Sequence, residues 1–159
     1  MSDALPPFQR FLDAHRDAVW RFLVRSVGPL EAEDCFQDTF IAALRAYPRL
    51  RPDSNLRAWV LTIAHRKALD AHRARARRAV PVADPIAVDA GADGERPLRQ
   101  EALWDAVGAL PDRQRSAVVL RYVADLPHRD IAAAIGCSEE AARRSLHDGL
   151  ANLRKAVPA

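Results

Sequence analysis

The stretch HRDIAAAIGCSEEAARRSL, residues 128–146, decides how the chain folds. Ile131 and Ile135 stand four residues apart and so share one face of a helix. Ala132 is small and lets a second helix come close. Gly136 can take the positive φ that reverses a chain, and Ser138 is a good cap for the helix that follows. Two helices joined by a tight glycine turn make a helix-turn-helix, whose second helix enters the major groove of DNA. The outward residues of that second helix are Glu139, Glu140, Arg143, Arg144 and His147. Arginine pairs with guanine O6 and N7, and glutamate accepts from the cytosine amino group. As a plain helical hairpin, the same segment has glutamates that favour the helix dipole and arginines that are merely solvated.

Working outward, the C-terminal helix starts behind Ser138 and places Ala142, Leu146, Leu150 and Leu153 on its buried side. Residues 98–109 hold Leu103, Trp104 and Val107 at helical spacings. Residues 111–124 open with Pro111, suited to a first helical turn, and carry Val118, Val119, Tyr122 and Val123. Upstream, AVPVADPIAVDAGADGERP (79–97) mixes prolines, glycines and acidic residues without an amphipathic period, which predicts a flexible linker. Three helices precede it. The first spans about 7–27, with Phe8, Phe11, Leu12, Val19, Phe22 and Leu23 inward, and ends at Gly28-Pro29. The second spans about 30–46, with a buried stripe of Ala32, Cys35, Phe36, Thr39, Phe40, Ala43 and Leu44. The third begins behind Ser54 as N-cap and runs to Arg78, with Leu56, Trp59, Val60 and Ile63 on its apolar face. Nothing reads as a strand. The expected fold is all-α, with two small helical domains (1–78 and 98–159) joined by a flexible Pro/Gly/acidic linker, the second containing the helix-turn-helix.

Charge is segregated along the chain. The net is −2 over residues 1–47, +7 over 48–78, −3 over 79–97 and +1 over 98–159. An acidic surface beside a compact basic one predicts two different partners, one of them a polyanion. No apolar run reaches the roughly 20 residues needed to cross a bilayer, and the N-terminus lacks the order of a secretory signal, so membrane insertion is not expected and a cytoplasmic location is. Cys35 and Cys137 are the only cysteines and read as small packed hydrophobes. The five histidines, His15, His65, His72, His128 and His147, show no metal spacing, and no phosphate loop or nucleophile motif is present. No cofactor and no enzymatic activity are expected.

Three segments in order, EAEDCFQDTFIAAL (31–44), NLRAWVLTIAHRKALDAHR (55–73) and ALPDRQRSAVVLRYVADLPHRDIAAAIGCS (109–138), resemble the extracytoplasmic-function (ECF) group of bacterial RNA polymerase sigma factors. The resemblance implies that Glu31, Glu33, Asp34, Gln37 and Asp38 dock on core RNA polymerase. It implies that the 48–55 loop, with Ser54 and Asn55, captures a flipped base of the melted −10 promoter element. Arg57, Arg66, Lys67 and Arg73 would supply the cationic groove, while Trp59 reads as core. The last segment is similar to the −35 reader, with Arg113, Arg115 and Arg129 on phosphates and the outward residues of the last helix on bases. An anti-sigma factor is a further implied partner, alongside polymerase and promoter DNA as duplex and melted single strand. The chain departs from the family where EEAARRSL replaces a stretch like GTVKSRL, with Ala142 in place of a larger apolar residue. It departs again where His65-Arg66 replaces a common Arg-Asn pair. A stand-alone helix-turn-helix regulator, and a sigma-like protein without promoter activity of its own, are the alternatives.

Overall fold

The computed structural model describes residues 4–78 and 97–157, and the expected linker lies, but for Pro97, outside the described residues. Seven α-helices are present, α1 (Phe8–Val27), α2 (Pro29–Ala46), α3 (Leu56–Arg78), α4 (Pro97–Gly108), α5 (Asp112–Tyr122), α6 (His128–Ile135) and α7 (Glu139–Ala156), with a 3₁₀ turn at Tyr47–Arg49 and no strand among the described residues.

The first three helices pack on one another around an aromatic cluster. Gly28, at φ +84°, turns the chain between α1 and α2, and Pro29 occupies the first turn of α2, where its missing N–H costs nothing. Phe11 is the centre of the cluster, with ring centroids 5.2 Å from Tyr47, 5.7 Å from Trp59 and 6.3 Å from Phe40. The Tyr47 hydroxyl donates to the Pro6 carbonyl, tying the N-terminal strand of chain to the turn after α2. Burial raises the Tyr47 phenol above its ordinary pKa, so it stays a donor. Cys35 is buried, its thiol directed at the Lys67 carbonyl at 3.8 Å, and burial with the nearby Glu31 and Asp38 carboxylates pushes it up to about 11. It is therefore an inert core residue.

In the second group α5, α6 and α7 form the helix-turn-helix core, and α4 leans on α5 and α7. Gly136 takes φ +82° after α6, and the Ser138 hydroxyl accepts from the Ala141 N–H at 3.1 Å to start α7. Gly149, inside α7, marks the closest approach to α5: a Cβ there would stand 3.0 Å from Val118 Cγ2 and 3.4 Å from the Gln114 backbone oxygen. A glycine inside a helix costs about 1 kcal/mol relative to alanine, offset here by the helix contact it permits.

The two groups also pack against each other, α3 on α6 and α1 on α5. The expected Leu56, Trp59, Val60 and Ile63 do pack on the core, Val60 fully buried and the others half-buried, and the buried side continues further along α3 through Leu61, Ala64, His65 and Ala68. Other expectations are corrected. Leu44 is exposed on α2 and Tyr122 is exposed on α5, because each lies at the margin of its stripe with no helix opposite. Pro111 precedes the first turn of α5 as its N-cap, with ψ 148°. The α3 cap is Asn55 and not Ser54: the Asn55 side chain accepts from the Ala58 N–H at 3.1 Å, and its carbonyl receives the Trp59 N–H.

A side chain larger than methyl at residue 149 has nowhere to go without moving Val118. Gly149→Leu is expected to destabilise the protein by about 1–3 kcal/mol, read from the midpoint of denaturant unfolding at unchanged slope.

Candidate nucleic-acid and polymerase interfaces

One face of α2 carries Glu33, Asp34, Gln37 and Asp38, all exposed. Glu31 lies at its edge, half-buried, and takes the Arg75 guanidinium Nε at 2.9 Å. The helical period brings Leu30, Ile41 and Leu44 to this same face, and all three are exposed. The surface is therefore a mixture of carboxylates and large apolar groups, suited to a partner helix that is basic and amphipathic. Trp20 of α1 stands beside it, 5.7 Å edge-on to Phe36. Sequence reading found the acids and missed the apolar part, although Leu44 and Ile41 were visible in the period.

The start of α3 holds the second candidate surface. Asn55 and Arg66 are exposed, Ser54, Arg57 and Lys67 are half-buried, and Arg73 is exposed further along. Trp59 belongs to the aromatic cluster, as its contacts with Phe11 and Tyr47 show. Beyond it Arg73, Arg75, Arg77 and Arg78 stand out from the last two turns of α3. Two of the candidates are already engaged by the second group of helices. The Arg57 guanidinium donates to the Ala124 carbonyl at 2.5 Å, and the Asn55 amide donates to an Asp130 carboxylate oxygen at 3.3 Å.

On α7, Glu139, Glu140, Arg143, Arg144 and His147 all face solvent. The carboxylates and guanidiniums pair along the helix, Glu139 with Arg143 at 2.9 Å and Glu140 with Arg144 at 4.0 Å. Arg113 and Arg129 are exposed, Arg129 lying 3.9 Å from Asp130. Arg115 departs from the expectation of a phosphate contact. It is buried, donates to the Gly108 and Leu110 carbonyls at 3.3 and 3.4 Å, and pairs with Asp112 at 2.7 Å. Those carbonyls belong to the end of α4 and the turn that follows it. Arg115 therefore ties that turn together and faces inward.

Residues 11–78 match Sigma-70 region 2, and residues 100–153 match Sigma-70, region 4. The RNA polymerase sigma factor CarQ of Myxococcus xanthus is 33% identical over 93% of this chain and 87% of that protein. The ECF RNA polymerase sigma factor SigD of Mycobacterium tuberculosis is 31% identical over 93% of this chain and 76% of its own length. The chain belongs to the ECF group of RNA polymerase sigma factors. In fold, this sigma factor is similar to the sigma factor RpoE solved with the anti-sigma factor NepR from Bartonella quintana (TM-score 0.80, 24% identity, 94% of this chain and 95% of that one). It is also similar to CnrH solved with the cytosolic domain of CnrY (TM-score 0.71, 25% identity, 93% and 85%). The region 2 match contains α2 and α3 with the acidic-apolar face and the basic tail, and the region 4 match contains the helix-turn-helix. No helix among the described residues is long and apolar enough to cross a membrane.

The cap at Asn55 is the local reason that α3 begins where it does. Asn55→Ala is expected to cost about 1 kcal/mol of stability and Asn55→Ser much less, measured by chemical denaturation of the two variants side by side.

Proposed function

We propose that this sigma factor binds core RNA polymerase through the outward face of α2, directs it to promoters, and helps open the DNA without any bond chemistry of its own. The observation that carries this reading is the separation of an acidic-apolar face on α2 from cationic surfaces on α3 and α7 in one chain that matches both sigma regions. Residues 1–78 form the polymerase-binding and −10 unit, and 98–159 the −35 unit. Arg57, Arg66, Lys67 and Arg73 line the path of the melted strand, with Ser54 and Asn55 at the loop that receives a flipped base. Strand opening is favoured because single-stranded bases gain contacts on a cationic surface that the duplex does not offer. Arg113 and Arg129 set the register on phosphates, and Arg143, Arg144, Glu139, Glu140 and His147 face base edges.

Each unit alone makes few contacts. Held on polymerase, the two act as a linked pair, and multiple phosphate contacts make binding strongly dependent on salt. The work is done in the cytoplasm with the polymerase, and an anti-sigma factor that covers the α2 and α3 surfaces would silence it.

Run-off transcription with core polymerase on a genomic promoter library tests the reading. Discrete new start sites preceded by a shared two-part motif are expected. Co-purification with polymerase without transcripts, or tight duplex binding by the protein alone without polymerase, would overturn it. Leu44→Asp is expected to weaken polymerase binding about five- to tenfold, with little loss of folding stability because Leu44 is exposed. Arg143→Ala with Arg144→Ala should abolish motif selection upstream while leaving polymerase binding intact, checked by the same run-off assay and by co-purification.

A further inference from the structure

The contact between the two helical groups is polar at its centre. A void of about 10 Å³ lies between α1, α3 and α5, lined by Phe22 and Ser26, by His65, Ala68, Leu69 and His72, and by Arg115, Ser116 and Val119. That is at the limit of what one water needs, so a charged ring there has no solvent shell. His65 is 3% exposed, and Nε2 of His72 is buried with no hydrogen-bond partner. The same closure places Asn55 on Asp130 and Arg57 on the Ala124 carbonyl, and sets the Arg25 guanidinium 4.2 Å over the Trp104 ring.

We infer that this contact is an acid-sensitive latch: neutral His65 and His72 of α3 close it against Arg115 of α5, and a proton on either ring drives the two groups apart and frees Asn55 and Arg57. The charges around the rings favour that outcome. On α3 itself stand Arg66 and Arg75, and across the contact stands Arg115, all cationic. Asp112 of α5 opposes them and is shared with Arg115, and the Ser26 backbone of α1 beside His72 opposes them too. Asp130 of α6 is taken up by Asn55. Burial first, then the nearby cations, lowers His65 from 6.5 to about 4, and lowers His72 in the same direction. His15 of α1, its Nδ1 buried without a partner, is lowered by burial and by Arg57 beside it.

The sign follows from linkage. A histidine whose closed-form pKa lies below its free value stabilises the closed form at neutral pH, and the open form binds the extra proton as pH falls from 6.5 towards 4. For His65 alone, a fall from pH 7.5 to 5.5 raises the open-to-closed ratio about tenfold. The readout is a distance within the chain, so it stands apart from the promoter-directing role.

The experiment uses the full chain carrying donor and acceptor dyes at cysteines placed at Asp17 of α1 and Lys155 of α7, both exposed, with Cys137→Ser and the buried Cys35 left in place. Single-molecule energy transfer is followed from pH 7.5 to 5.5, with helicity monitored by circular dichroism. A growing long-distance population at constant helicity is expected, and it should be suppressed in His65→Gln/His72→Gln. Asp112→Asn removes the carboxylate opposing the cations from an exposed position and should shift the transition to higher pH, which keeps the test decisive if the double variant fails to fold. Unchanged distances over that range, loss of helicity in place of separation, or a transition that neither substitution moves would overturn the latch.

Discussion

Helix α3 is buried on two sides, and that constraint orders the rest of the molecule. Val60, Leu61 and Ala64 are fully covered and Ala68 nearly so, by α1 and α2 on one flank and by the helix-turn-helix group on the other. A helix in such a place has little surface left for solvent. What remains is its two ends, the start, where Asn55 caps it and Arg57 projects, and the tail, where arginines crowd the last two turns, with a narrow exposed strip between them at Arg66 and Asp70. The hydrophobic effect thus decides which parts of α3 can meet a ligand, by covering two sides of its middle. The small residues Ala64 and Ala68 are what allow flanking helices close enough to do this, and they bring polar groups such as His65 into the same covered zone.

The contact between the groups differs from an ordinary core in that side chains with polar ends lie among its apolar residues. Arg115 is satisfied by two carbonyls and a carboxylate, and removing it would leave buried acceptors unpaired, which costs more than the net worth of the bonds themselves. Arg57 and Asn55 are different in kind. Each is at the margin, each makes one bond across the contact, and each belongs to the surface proposed to meet nucleic acid. Single marginal bonds exchange partners readily, whereas the aromatic cluster around Phe11 does not.

Much of the fold was legible because it follows local rules. Gly136 and Ser138 mark the helix-turn-helix by backbone freedom and capping chemistry, and the ends of α1, α2 and α6 fall within a residue or two of their sequence signals. Where two residues offered the same chemistry, the sequence was ambiguous: Ser54 and Asn55 both cap well, and only the geometry chooses Asn55. Leu44 and Tyr122 sit at the edge of their stripes, so their exposure depends on which helix lies opposite, a fact of tertiary packing. Arg115 belongs to a run that reads as cationic surface, and its true partners are carbonyls of a turn that no periodicity reveals. Gly149 was a missed signal, since a glycine in mid-helix asks for a reason. For the candidate sites, the polar composition of the α2 and α7 faces was readable, the apolar share of α2 was present in the period but overlooked, and the covering of Arg57 was not readable.

The paired charges of α7 carry one more consequence. Glu139 with Arg143, and Glu140 with Arg144, give each guanidinium a carboxylate of its own before any other anion arrives. A bare phosphate chain must displace a resident carboxylate and then lie beside it, so its gain on this helix is reduced wherever it lands. A groove that offers an acceptor pair to the guanidinium and an amino group to the freed carboxylate suffers no such deficit. In the role proposed for α7, this pairing penalises contact with phosphate alone more than contact with a matched pair of base edges.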